Sequence, residues 1–299
     1  MVALPPGMES PEAAERWAEV SPSFAGTAAD LPKTSSVARA LAWAGAASTL
    51  HRVRLGEGAL LAVNASLILH GGATRTVQLA QLVVSVLALA LMYAFNDLYD
   101  APVDTNNPKK DPTLIGIYLA HGWIAGRAIL IASLLTSALA LATLGIHAAA
   151  ATAGVLLVNV VYSTRLKGVP VLDVAWCGLW GVLYAAIVSA SPSLLLVVGL
   201  MTAVCHLYQT LDDRAADAAS AITTTAVRSP TLSRDVLVAL SVLLVVTLRP
   251  ALGLAWAATA FAPLLLFFVA ASPRVGWLLT KAYFGVMWLA LLGVASAAG

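Results

Sequence analysis

The sequence predicts an all-α, polytopic membrane helical bundle with about nine transmembrane helices, and three observations carry that expectation. Of 299 residues, 60% are hydrophobic and only 11% are charged, against about 25% charged in an average soluble domain. Mean hydropathy is +0.87. Apolar runs near the ~20 residues needed to cross a bilayer fall at 56–72, 76–98, 121–142, 145–162, 172–190, 193–211, 235–251, 253–271 and 276–297. When the loops are assigned alternately to two sides, fifteen of the seventeen Lys and Arg lie on the side of the N-terminal tail; Arg75 and Arg249 are the exceptions. Such an excess of basic residues marks the cytoplasmic face, and its consistency across the segments supports the count of nine.

Residues 1–50 read as an N-terminal cytoplasmic tail followed by an interfacial helix over 35–50. The tail has no basic start leading an apolar core, so a signal peptide is not expected. Residues 51–299 form the nine-helix membrane domain. Its first and fourth spans are short or interrupted. Asn64, inside the first, reads as interhelical glue, with substrate contact as the alternative. Cys177 and Cys205 lie within spans and read as small buried hydrophobes. A long loop is expected over 101–120, and further polar blocks over 162–170 and 212–234, all on the cytoplasmic side. Function is therefore expected at one face, in the cell inner membrane, with the active-site mouth cytoplasmic.

Two acidic stretches sit where long apolar segments meet those loops. Asn96, Asp100 and Asp104 recur every four residues in the first, and Gln209, Asp213 and Asp217 do so in the second. On a helix this spacing puts each set on one face, with neighbouring Cβ atoms about 6 Å apart. Six of the chain's fifteen acidic residues lie in these stretches: Asp97, Asp100, Asp104, Asp212, Asp213 and Asp217. Carboxylates at membrane segments are costly unless something positive joins them. Oxygen ligands without His or Cys suit Mg²⁺ rather than zinc.

Facing carboxylates that hold Mg²⁺ over an apolar bundle describe the ionisation of an allylic prenyl diphosphate. The metal neutralises the leaving diphosphate, and aromatic faces stabilise the allylic cation. Tyr93, Phe95, Tyr99, Tyr118, Trp176, Trp180, Tyr184 and Tyr208 are available near that end. These residues also carry a resemblance. The NDxxDxxxD pattern of Asn96, Asp97, Asp100 and Asp104, the pair Asp213 and Asp217 followed by Ile222, Thr224, Thr225, Ala226 and Val227, and the loop residues Tyr162, Ser163 and Lys167 come in one order. In this the chain resembles the UbiA superfamily of intramembrane aromatic prenyltransferases over roughly residues 50–298.

The resemblance implies nine transmembrane helices, Mg²⁺ as cofactor, and transfer of a prenyl group from prenyl diphosphate to an aromatic or lipophilic acceptor. It implies Asn96, Asp97, Asp100, Asp104, Asp213 and Asp217 as metal ligands, with Asp100, Asp213 and Asp217 central to catalysis. Tyr162, Arg165, Lys167, Lys109, Lys110 and Arg214 are the candidate diphosphate contacts. The chain departs from the pattern at Asp111 and Thr223, where basic residues are expected, and at Ala221, where Gly is expected. Pro102, inside the first motif, cannot donate a helical hydrogen bond, so a bend that re-aims Asp104 is expected. These departures keep open a second reading, a terpene cyclase in which the prenyl chain captures its own cation. An ion or proton transporter is the third; it predicts acids spread through the membrane depth, whereas these are confined to one face. Asp173 is open between binding the second substrate and capping the fifth span.

Overall fold

The computed structural model describes residues 58–105 and 110–298, together with Arg39, Trp43 and Gly45. The expected tail, nearly all of the expected interfacial helix, and Lys109 lie outside the described residues. Among those described, the protein is all-helical, and its helices fall on the nine expected spans: α1 (Ala59–His70), α2 (Arg75–Asp104), α3 (Pro112–Leu144), α4 (Ile146–Val161), α5 (Leu172–Ala186), α6 (Pro192–Ala219), α7 (Pro230–Ala258), α8 (Ala262–Val269) and α9 (Pro273–Ala298). A single turn, Thr225–Arg228, stands between α6 and α7.

Three expectations change. The connection after α2 is short, because α2 runs through Pro102 to Asp104 and α3 already starts at Pro112. Pro102 sits in the last turn, and the helix continues past it. Asp111 accounts for the early start of α3: its carboxylate accepts from the backbone N–H groups of Thr113 (2.8 Å) and Leu114 (3.4 Å), with Pro112 at the first helical position. A capped end with Pro at its first position is a stable way to begin a helix. The 212–234 block is likewise mostly helical, since α6 carries Asp212, Asp213 and Asp217. Finally, the first and fifth segments are short, as is α8 with its 8 residues, whereas the fourth is not. At about 1.5 Å per residue, the 12 residues of α1 and 15 of α5 fall short of a bilayer core, whereas α4 continues through a π-turn to Leu166, 21 residues in all.

The break between the seventh and eighth spans lies at Gly253, whose φ of 75° and ψ of 166° are open essentially to glycine alone. Elsewhere small residues set the packing. Gly178 and Gly181 of α5 lie against Gly199 and Thr202 of α6, so close that a Cβ on Gly181 would stand 2.3 Å from the Thr202 hydroxyl. This small-on-small seam joins two cores. One is built on Val84, Met92, Val155 and Tyr184 of α2, α4 and α5; the other on Leu207, Leu237, Leu244 and Met287 of α6, α7 and α9. Asn64, fully buried, donates to Ser85 Oγ and to the Tyr184 carbonyl, 3.0 Å each. It ties α1 to α2 and α5, which is the glue reading. The outer face of α3 (Trp123, Leu130, Leu134, Leu135) is exposed and apolar, as a lipid-facing surface must be.

Candidate active site

Between the two cores lies a cavity of about 810 Å³, bordered by α1, α2, α4, α5, α6 and α9. That volume falls in the range of small-molecule sites. The two acidic stripes meet across it: Asn96, Asp100 and Asp104 from α2, and Gln209, Asp213 and Asp217 from α6, with Asp212 beside them. Asp97 does not join them. One residue past Asn96 is about 100° further round the helix, and Asp97 instead faces a small recess against Leu114, Ile115 and Tyr118 of α3. Five of the six expected metal ligands thus line one cavity, and the sixth backs them from behind.

Two lysines already serve the first stripe. Lys167 Nζ donates to Asp100 Oδ2 at 2.5 Å, and Lys110 Nζ lies 2.9 Å from Asp104 Oδ2 and 3.3 Å from Asp97 Oδ1. Burial works against the charge on Lys167. The carboxylates of Asp100, Asp104 and Asp217 more than offset it and hold the ammonium above the ordinary lysine value. The backbone that aims Lys167 is a π-turn, Tyr162–Leu166, closed by Lys167 N–H to the Tyr162 carbonyl at 2.9 Å. Such single turns concentrate at functional sites. It buries Ser163, whose hydroxyl donates to Asn96 Oδ1 at 2.5 Å. It also buries Tyr162, whose hydroxyl meets His206 Nε2 at 3.2 Å with the rings edge to face. Of the other expected diphosphate contacts, Arg165 and Arg214 are exposed and outside the cavity lining.

The second stripe is held by the chain that follows it. Thr224 Oγ1 donates to Asp217 Oδ2 at 3.4 Å. Helix α6 ends with Ile222 N–H on the Asp217 carbonyl and Ala221 N–H on the Ala218 carbonyl, the paired closure that places a left-handed residue just past a helix. That residue is Ala221, φ 57°, at the position where the resemblance expects Gly. An L-residue pays about 1 kcal/mol for this conformation. Ala221→Gly is therefore expected to raise stability by up to about 1 kcal/mol, part of the gain being lost to the freer unfolded chain; thermal melting of the two proteins in one detergent checks it.

Asp173 is fully buried and outside the cavity lining. Its carboxyl oxygens take the backbone N–H of Thr225 (2.8 Å), the Thr225 hydroxyl, and the N–H of Val174 (2.9 Å). Thr225 Oγ1 in turn accepts from Val171 N–H at 2.7 Å. Asp173 therefore latches the turn that carries Thr224 onto the start of α5; substrate contact is the alternative that falls away.

Away from the acids the cavity is mostly apolar. Of the expected aromatics, Tyr93, Trp176 and Trp180 line it, and Tyr93 and Trp180 meet edge to face at 6.3 Å. Tyr184 and Tyr208 are core residues, bonded to the carbonyls of Ser85 and Pro263. The sequence reading missed His206 and the whole contribution of α9: Arg274, Trp277, Lys281, Phe284 and Trp288. A signal existed, because Arg274, Trp277 and Lys281 are spaced i, i+3, i+7 and share one helix face.

The donor set fits Mg²⁺: carboxylate and amide oxygens only, from two facing helices. Among the described residues, no three His, Cys, Asp or Glu side chains converge into a closed cage. Mg²⁺ takes one or two carboxylates and completes its shell with water and substrate phosphates, so an open, two-sided arrangement suits it.

Comparisons with known proteins agree with this architecture. The model of the UbiA prenyltransferase family matches residues 59–291. A UbiA homolog from Archaeoglobus fulgidus bound to GPP and Mg²⁺ superposes with a TM-score of 0.58 at 18% identity, covering 83% of this chain and 99% of that one. The same homolog bound to DMAPP and Mg²⁺ gives 0.57 at 20% identity, with 81% and 99% covered. At these identities the likeness concerns the fold. A lycopene elongase/hydratase from Haloarcula japonica is 38% identical over 147 residues, which is 45% of this chain and 48% of the relative. That match spans about half of the relative's length.

Proposed function

The chain belongs to the UbiA prenyltransferase family, and on that premise we propose that it ionises an allylic prenyl diphosphate with Mg²⁺ and transfers the prenyl group to a lipophilic acceptor. One observation carries this reading: two oxygen-only stripes, Asn96/Asp100/Asp104 and Asp213/Asp217, share the rim of one cavity whose interior is apolar and aromatic. Those five residues are the proposed Mg²⁺ ligands, with Asp97 supporting them through Lys110. Bound Mg²⁺ would neutralise the diphosphate and make it a better leaving group.

The protein's own residues do the rest. Lys110 and Lys167 hold phosphate oxygens from the first stripe, and Tyr162 and Ser163 fix the geometry of Asn96 and the cavity wall. As the C1–O bond breaks, its electron pair leaves with the diphosphate. Tyr93, Trp176 and Trp180 turn π-faces and edges to the allylic cation and keep water from it. The acceptor's π-electrons then form the new bond to C1, and the acceptor releases a proton. The apolar lining and the Haloarcula relative's name support a hydrocarbon-like acceptor. The membrane orientation that follows from the basic loops opens this site to the cytoplasm.

The cyclase reading shares the ionisation step and differs only in what captures the cation. Purified protein incubated with Mg²⁺ and geranyl diphosphate, with and without membrane lipid extract, separates the two by mass spectrometry. An extract-dependent prenylated lipid is expected. A cyclised hydrocarbon formed without extract would establish the cyclase. In either case chelation with EDTA is expected to abolish pyrophosphate release, and Mg²⁺ to restore it. Undiminished turnover after exhaustive chelation would contradict the metal assignment.

A further inference from the structure

We infer that α9 supplies a second anion-binding wall, in which Arg274 and Lys281, gathered around Trp277, hold phosphate oxygens of the substrate from the side of the second acidic stripe. The inference rests on the reading of the substrate as a prenyl diphosphate. Both cations line the same cavity as Asp213 and Asp217. Their spacing brings them to one indole: the Arg274 guanidinium lies 4.5 Å and the Lys281 ammonium 3.3 Å from the centre of the Trp277 ring.

Neither cation is where a helix would place it for stability. Arg274 is the second residue of α9, at the helix end whose dipole favours anions. Its carboxylate neighbour Asp212 is 3.9 Å away, too long for a hydrogen bond. Lys281 lies about two turns further into a membrane segment, where a charged side chain is costly and marks function. Lys110 and Lys167 are held on the first stripe, so among the described residues that line the cavity, α9 supplies the cations on the side of the second stripe. The wall also makes up for the cations missing at Asp111 and Thr223, the first of which is committed to capping α3.

The test is calorimetric titration of the full-length protein in detergent with inorganic pyrophosphate plus Mg²⁺. Wild type is expected to bind. Lys281→Met and Arg274→Gln are each expected to weaken binding about tenfold or more, as loss of a hydrogen bond to a charged group does, and Lys281→Arg to recover most of it. Melting temperatures without ligand identify any variant that fails to fold, and Arg274→Gln, at the helix end, keeps the test open if Lys281→Met does. Wild-type affinity in both folded variants would overturn the α9 assignment while leaving the prenyl diphosphate reading intact. No binding by wild type would overturn that reading itself. Binding of sodium 4-hydroxybenzoate that needs Lys281, with pyrophosphate binding unaffected, would assign the wall to the acceptor and overturn the proposal.

Discussion

Asp100→Asn and Asp213→Asn are each expected to lower turnover of prenyl diphosphate by about 100-fold or more. Metal-assisted charge stabilisation is worth several kcal/mol, and each ~1.4 kcal/mol is a factor of ten. The two residues sit on facing helices around one cavity, so each variant removes a carboxylate from one side of a two-sided site. At Asp100 the substitution also frees Lys167 from its 2.5 Å partner. Asp235→Asn is the control. That carboxylate is 57% exposed and paired with Arg234 at 2.9 Å, and its loss is expected to leave turnover within about twofold, as surface changes do. Pyrophosphate release in proteoliposomes measures all three. Comparable losses at all three positions would show that acidity in general, not these two stripes, sustains the reaction.

Asp173→Ala is expected to destabilise the protein by about 3 kcal/mol and to reduce activity as well. The substitution leaves the Thr225 N–H and hydroxyl without their acceptor in a fully buried place, and each unsatisfied buried donor costs about 1–3 kcal/mol. The functional loss follows because the same turn carries Thr224, whose hydroxyl reaches Asp217. Asp173→Asn keeps one acceptor oxygen and should fall between wild type and Ala. Melting temperature and turnover, measured on both variants, check the latch. Wild-type melting of the Ala variant would show that the turn is held by something else.

Much of this arrangement is legible from the chain because its causes are local. A 20-residue apolar run has no alternative in a bilayer but a helix, since every backbone group must be satisfied within it. A four-residue spacing then puts Asn96, Asp100 and Asp104 on one face without reference to anything else. The break at Gly253 falls between the seventh and eighth spans for the same kind of reason. Helix ends are harder. Asp111 and Pro112 are a start signal, yet the polar run 104–113 that contains them reads as loop and hides how early the apolar residues from Leu114 onward become helical.

What escaped depends on which helices become neighbours. Arg274, Trp277 and Lys281 lie more than sixty residues past Asp213, and no local rule brings α9 to the second stripe. Asp97 and Asp100 are equivalent in composition. Helix rotation turns Asp97 away from the stripe, and the position of α3 decides that it meets Lys110 in a recess, while Asp100 meets Lys167 in the cavity. Asp173 looks like a helix-end acid until the Thr225 turn is folded against it. The sequence by itself determined the membrane bundle, its nine segments and the two carboxylate stripes, because periodicity and bilayer energetics act along the chain. The tertiary structure alone decided which carboxylates face the cavity, which lysines attend them and that α9 closes the ring, because the pairing of charges in a low-dielectric interior depends on distances across helices.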